Sequence, residues 1–210
     1  MMEQLPLDIS PPPEPAFDNF VAGANAEALE RVRELAAGRL QEAIVYLWGE
    51  PGSGRSHLLR AAQRANPSLF VADDVERLDG DAQRALFAAI NAARDGRAAV
   101  LAAGSVAPAQ LSLREDLRTR LAWGLVYQLK PLSEAEKASH LRTEASRRGL
   151  ELSEEVVGYL LTRLPRDLAS LRAVLEVLDR YSLAKQRALT LPLVREALAR
   201  AQLPRQSDGA

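Results

Sequence analysis

Residues 49–56 read Gly-Glu-Pro-Gly-Ser-Gly-Arg-Ser, between the apolar run Ile44-Val45-Tyr46-Leu47-Trp48 and the apolar helix start at Ser56-His57-Leu58-Leu59. A glycine-rich turn joining a buried strand to a helix is the context of a phosphate-binding loop, and it commits the chain to an α/β fold built on a parallel sheet. The glycines let backbone N–H groups point inward at phosphate oxygens, and the helix N-terminus adds roughly half a unit of positive charge. Gly49, Glu50, Pro51, Gly52, Ser53 and Gly54 form the cradle, and Ser56 places its hydroxyl on Mg²⁺. The pattern's lysine is replaced by Arg55, which keeps the charge but brings a planar fork of different reach. The expectation is ADP or ATP binding with slow intrinsic hydrolysis.

A second apolar strand, Leu69-Phe70-Val71-Ala72, ends in Asp73-Asp74. One loop-helix after a phosphate loop, Asp73 is placed to hold the magnesium shell and Asp74 to polarise an attacking water. Only Asn66-Pro67-Ser68 separates the loop helix from this strand, where P-loop sheets with an added strand insert a strand and a helix. The spacing therefore predicts four strands in the order 5-1-4-3, one strand missing and the Asp73 strand at the sheet edge. Ala98 to Ala103 is the central strand, ending at Gly104-Ser105, where Ser105 can sense the outer phosphate. Helices are predicted over 25–38, with Asn25 as N-cap, over 81–94 and over 113–121, and Trp123 to Leu129 supplies the last strand. Trp48 and Trp123 are expected to fill the core, His57 to pack on its helix and His140 to face solvent.

Beyond Pro131 the pattern is helical only. Ser133-Glu134-Ala135-Glu136 is a capping box, and amphipathic helices follow around 133–148, 153–164, 166–183 and 191–201, which read as a small helical lid. The domain expectation is an arm over 1–16, an α/β nucleotide-binding domain over 17–131 and a lid over 132–210. Pro6, Pro11, Pro12, Pro13 and Pro15 make the arm extended and flexible, and it carries Gln4-Leu5-Pro6-Leu7-Asp8-Ile9, a segment suited to a partner's groove.

The 27 Lys and Arg against 28 Asp and Glu in 210 residues give a net charge of −1, without the basic excess of a dedicated DNA-binding protein. With no cysteine there is no disulfide and no thiolate metal site, and neither a membrane-spanning run nor a signal peptide is evident, so a cytoplasmic location is expected.

Phe17-Asp18-Asn19-Phe20-Val21-Ala22-Gly23, the loop at 49–56, Asp73-Asp74, Arg120-Leu121-Ala122-Trp123-Gly124-Leu125 and Arg166-Asp167-Leu168 together resemble the AAA+ domain of the bacterial initiator DnaA. The likeness covers residues 17–202 and is greater to the Hda-like, DnaA-related regulators, which share the short glutamine-led arm and end after the lid. The resemblance implies that Gln4, Leu5 and Leu7 bind the replicative sliding clamp, the beta subunit of DNA polymerase III. It implies that Arg120 is an arginine finger acting in trans and that Arg166 is a lid arginine reading bound phosphate. It also implies DnaA as partner, nucleoid association through the clamp, no sequence-specific DNA contact of the chain's own, and room for a homodimer through the nucleotide face. On their own residues, Arg120 is a surface arginine of a charged helix and Arg166 a helix-start salt-bridge residue. Three readings stay open: an activator of DnaA hydrolysis that prevents re-initiation, a self-sufficient AAA+ ATPase of the helicase-loader type, and a nucleotide-independent adaptor.

Overall fold

A computed structural model describes residues 14–163, 168–185, 187 and 189–200, without the side chains of residues 168–170 and 172. The described residues pack as two units, one spanning Pro15–Leu132 and one beginning at Ser133.

The first unit alternates helix and strand: α1 (Ala26–Ala36), β1 (Ile44–Trp48), α2 (Arg55–Ala65), β2 (Phe70–Ala72), α3 (Gly80–Arg94), β3 (Val100–Gly104), α4 (Glu115–Leu121) and β4 (Leu125–Gln128). The four strands form a parallel sheet in the order β2-β3-β1-β4, with Tyr46 opposite Ala102 and Val126, and Phe70 opposite Val100. Counted with one strand omitted after the phosphate loop, this is the expected order 5-1-4-3. The Asp73 strand lies at the edge, and α2 passes to β2 through a turn closed by Leu69 N–H to Asn66 O at 3.1 Å.

Successive side chains of a strand point to opposite faces, so each strand supplies two layers. Val45, Leu47, Leu101 and Ala103 join Val32 and Leu35 of α1 and Leu58, Leu59 and Ala62 of α2. Ile44, Tyr46, Val100 and Ala102 join Leu86 and Ile90 of α3 and Leu117 and Leu121 of α4. The result is helix, sheet, helix, with the ends of the strands left for loops.

Three details of this unit depart from the sequence reading. Asn25 does not cap α1: its side-chain amide donates to Lys130 O at 2.8 Å and its oxygen accepts from Lys130 N–H at 2.8 Å, tying the entry of α1 to the exit of β4. A buried amide that satisfies two backbone groups of a distant segment outcompetes a local cap. The second is Trp123, which is 44% exposed rather than a core residue, whereas Trp48 packs against the core. Third, the strand predicted over 123–129 runs only from Leu125 to Gln128.

In the second unit, α5 (Glu134–Arg147), α6 (Glu154–Arg163), α7 (Leu168–Lys185) and α8 (Leu191–Arg200) enclose Leu141, Val156, Leu160, Val174, Leu178 and Val194. The capping box forms: Ser133 Oγ accepts from Glu136 N–H at 3.2 Å and Ser133 N–H donates to Glu136 Oε2 at 2.8 Å. His140 is half-buried rather than solvent-facing. No helix among the described residues is long and apolar enough to cross a membrane.

Gly124 is where β4 leaves α4, and a Cβ there would collide with Ile44 O and lie 2.7 Å from Ile44 Cβ. Gly124→Ala should cost about 1–3 kcal/mol by overpacking. At about 2–4 °C per kcal/mol for a chain of this size, the melting midpoint followed by circular dichroism should fall by roughly 2–12 °C.

Candidate nucleotide site and arginine face

Parallel strands bring the chain segments that follow β1, β2 and β3 to one end of the sheet. At that end lie the loop at 49–54, the turn at Asp73-Asp74, and Ser105. Gly52 and Gly54 take positive φ of 82° and 96°. A Cβ on Gly54 would fall 2.6 Å from Phe20 Cε2, and one on Gly49 would meet Leu129 O and sit 3.1 Å from Ser53 Oγ. Only glycine lets the backbone approach its neighbours this closely. Phe20 in turn packs on His57, whose Nε2 lies 3.0 Å from Ala16 O, so the segment at 16–20 is laid against the start of α2.

Two donors in the loop are left over. Ser53 is 4% exposed, and among the described residues neither its buried hydroxyl nor the buried Nη1 of Arg55 has a partner. Buried polar groups are ordinarily satisfied. An anion with several lone-pair oxygens would satisfy both, so these residues fit a phosphate chain. The other guanidinium nitrogen of Arg55 lies 3.6 Å from Asp74 Oδ1, and Arg77 Nη1 lies 3.6 Å from Asp74 Oδ2. Asp73 Oδ1 accepts from Asp74 N–H at 3.0 Å, and Asp74 adopts a left-handed conformation at φ 44°, ψ 52° that aspartate tolerates. No three carboxylate, histidine or cysteine side chains gather as a metal cage among the described residues. Ser56 and Asp73 suit the kind of Mg²⁺ that keeps several waters and shares the substrate's phosphates.

Glu76 is a member of this site that the sequence reading missed. One turn past Asp73, its Oε1 accepts from Ser105 N–H at 3.0 Å, so the turn after β2 is fastened to the end of β3. Burial disfavours the charged carboxylate. Hydrogen bonds from the Ser105 side chain, from its own backbone and from the Ser105 backbone, with the Arg55 charge, outweigh burial and hold it below its ordinary range. Beside it, burial and the Glu76 charge push the Tyr46 hydroxyl up, against the opposing Arg55 charge, and Tyr46 donates to Val106 O at 2.9 Å. A side chain on Gly104 would collide with the Tyr46 hydroxyl and lie 2.9 Å from Glu76 Oε2.

Arg120 is elsewhere. It lies in the last turn of α4, which hands the chain to β4 with Leu125 opposite Val45, so it occupies the end of the sheet where strands begin, away from its own phosphate loop. Its Nε donates to Asn91 Oδ1 at 3.2 Å and its Nη1 to Asp116 O at 3.1 Å, with its Cζ 4.3 Å from the Phe87 ring centroid and 5.0 Å from that of Trp123. Phe87 and Asn91 are one turn apart on α3, and nothing in their local sequence signals that they cradle Arg120, which follows Asn91 by 29 positions. Gln4, Leu5, Leu7 and Arg166 lie outside the described residues.

A phosphate-loop sheet of this order, with an Asp pair on its edge strand and a helical second unit, is the architecture of AAA+ proteins. A family model described as Hda, lid domain, matches residues 134–198. An uncharacterised protein of Haemophilus influenzae is 32% identical, the alignment covering 94% of this chain and 99% of that one. The crystal structure of domain III of the Thermotoga maritima replication initiation protein DnaA is similar with a TM-score of 0.68 and 23% identity, over 89% of this chain and 96% of that one. AMPPCP-bound DnaA from Aquifex aeolicus is similar with a TM-score of 0.64 and 21% identity, over 92% of this chain and 70% of that one. The chain belongs to the Hda-like, DnaA-related family of AAA+ proteins.

The depressed Glu76 carboxylate contributes stability that is present above its unfolded value, near 4.5, and is lost as pH falls through its lower folded value. Glu76→Gln removes that charge. The urea midpoint of the variant should lie below wild type at pH 7, and the gap should narrow as pH falls below 4.5; an equal gap at pH 7 and pH 3 would contradict the charged role.

Proposed function

We propose that the chain is a nucleotide-bound regulator that stimulates ATP hydrolysis by DnaA and so prevents re-initiation of replication. The observation that carries this is the position of Arg120, at the opposite end of the sheet from the chain's own phosphate loop. An arginine so placed serves a nucleotide held by another subunit, where it would offset the charge building on the transferred phosphoryl group; such fingers accelerate hydrolysis by about 10³–10⁵ in other phosphate-loop systems. The tethers at Asn91 and Asp116 and the two aromatic rings hold the guanidinium ready, which limits the rotamer entropy lost when it docks.

The chain's own nucleotide, ADP or ATP with Mg²⁺, would sit in the loop at 49–56, with Ser56 and Asp73 toward the metal, Arg55 and Ser105 toward the outer phosphates, and Arg166 from the lid. The two unsatisfied donors at Ser53 and Arg55 support that reading, as does the AMPPCP named in the DnaA structure of the same fold. When bound, the nucleotide supplies a phosphoanhydride and a magnesium charge that order the loop. Arg55 faces Asp74 across 3.6 Å, so the residue proposed to polarise water is engaged by a cation, which fits a site that holds its nucleotide rather than spends it. Gln4, Leu5 and Leu7 would tether the chain to the DNA-loaded clamp, raising its effective concentration near DnaA.

The test is ATP hydrolysis by purified DnaA with clamp-loaded DNA on adding this chain intact, with Arg120→Ala, or lacking residues 1–10. Stimulation should fall about 10³-fold or more with Arg120→Ala, the lower bound of the finger range, and should require the arm. Steady hydrolysis by the chain alone, lost in Asp74→Ala, would favour the self-sufficient ATPase.

A further inference from the structure

Arg94, the last residue of α3, and Arg120 share one aromatic ring. Their Cζ atoms lie 4.9 Å and 5.0 Å from the Trp123 indole centroid. Two guanidiniums around one ring are no farther apart than about a Debye length, so each disfavours the other. Among the described residues neither has a carboxylate partner within ion-pairing distance, although the arginines nearby are paired, Arg97 with Asp95 at 2.7 Å and Arg114 with Asp116 at 2.6 Å. The α3 C-terminus relieves part of this repulsion at Arg94, since a helix end favours a cation. Trp123 itself is 44% exposed. With Ala43, Ile44, Arg94 and Gly124 it lines a groove of about 520 Å³, whose one carboxylate, Glu42, makes no ion pair with either arginine.

An exposed indole flanked by two arginines that form no ion pair among the described residues, one of them lining the groove, is complementary to an anionic, phosphate-bearing edge. We propose that Arg94 and Trp123 extend the Arg120 face into a docking surface for the nucleotide edge of an ATP-bound partner AAA+ subunit, with Arg94 as a second phosphate-directed cation. This rests on the function proposed above. Arg120 would act on the rate within the complex, and Arg94 on its formation, because a charge at the margin of an interface chiefly governs encounter and affinity.

The experiment titrates the full chain into ATP-bound DnaA with clamp-loaded DNA and reads the maximal hydrolysis rate and the half-saturating concentration separately. Arg94→Ala should raise the half-saturating concentration about tenfold with the maximal rate kept within about twofold, and Arg94→Lys should recover most of the loss. Trp123→Ala should also raise the half-saturating concentration, but because its ring holds Arg120 it should lower the maximal rate as well, and Trp123→Phe should be milder on both. Melting midpoints within about 2 °C of wild type exclude a purely structural effect. If Arg94→Ala titrates like wild type while Arg120→Ala loses stimulation, the docking surface is wrong and the proposed function stands. If Arg120→Ala still stimulates fully, the proposed function falls and this inference with it. Loss of binding to a labelled single-stranded oligonucleotide in Arg94→Ala, with the hydrolysis titration unchanged, would assign the face to nucleic acid and overturn the proposal.

Discussion

The parallel pairing of β1 with β3 is the constraint on which the site depends. Its register sets Trp48 opposite Gly104, so the loop at 49–54 and Ser105 leave the sheet side by side. Pairing of β2 with β3 brings the Asp73 turn to the same edge, and the bond from Ser105 N–H to Glu76 fixes that turn in place. A slip of one residue would exchange the two faces of β1, sending Val45 and Leu47 into the layer of α3 and α4 and Tyr46 into that of α1 and α2. The hydrophobic layers therefore enforce the geometry of the polar end.

The same sheet gives its two ends different chemistry. Where strands end, the charges of Arg55 and Arg77 face those of Asp74 and Glu76, beside the donors of Ser53 and Arg55 that have no partner among the described residues. Where strands begin, helices α3 and α4 finish and leave arginines near their C-termini, a placement the helix dipole favours. Aromatic rings, rather than carboxylates, hold Arg120 there, which keeps its positive charge available.

Much of this was legible in the sequence because the signals are local. The strand, loop and helix at 44–59, the apolar run before Asp73, and the three-residue link at 66–68 are read directly, and they dictate both the strand order and the strand that is missing. Long-range pairings were not legible. Glu76 looks like one more surface charge in Asp-Asp-Val-Glu-Arg until β3 places Ser105 beside it. Asn25 has the chemistry of a cap and is drawn away by Lys130, 105 residues later. Trp123 has the composition of a core residue, but it lies in the turn between α4 and β4, where its ring packs on Arg94 and Arg120 and stays 44% exposed.

The central claim is that the strand-start end of the sheet acts on a partner. Its most direct test is site-specific photocrosslinking, with the crosslinker at exposed Ala122 beside Arg120, and at exposed Arg60 on α2 as control. The account predicts a covalent adduct with ATP-bound DnaA from Ala122 and none from Arg60. No adduct from Ala122, or adducts with this chain alone, would contradict it.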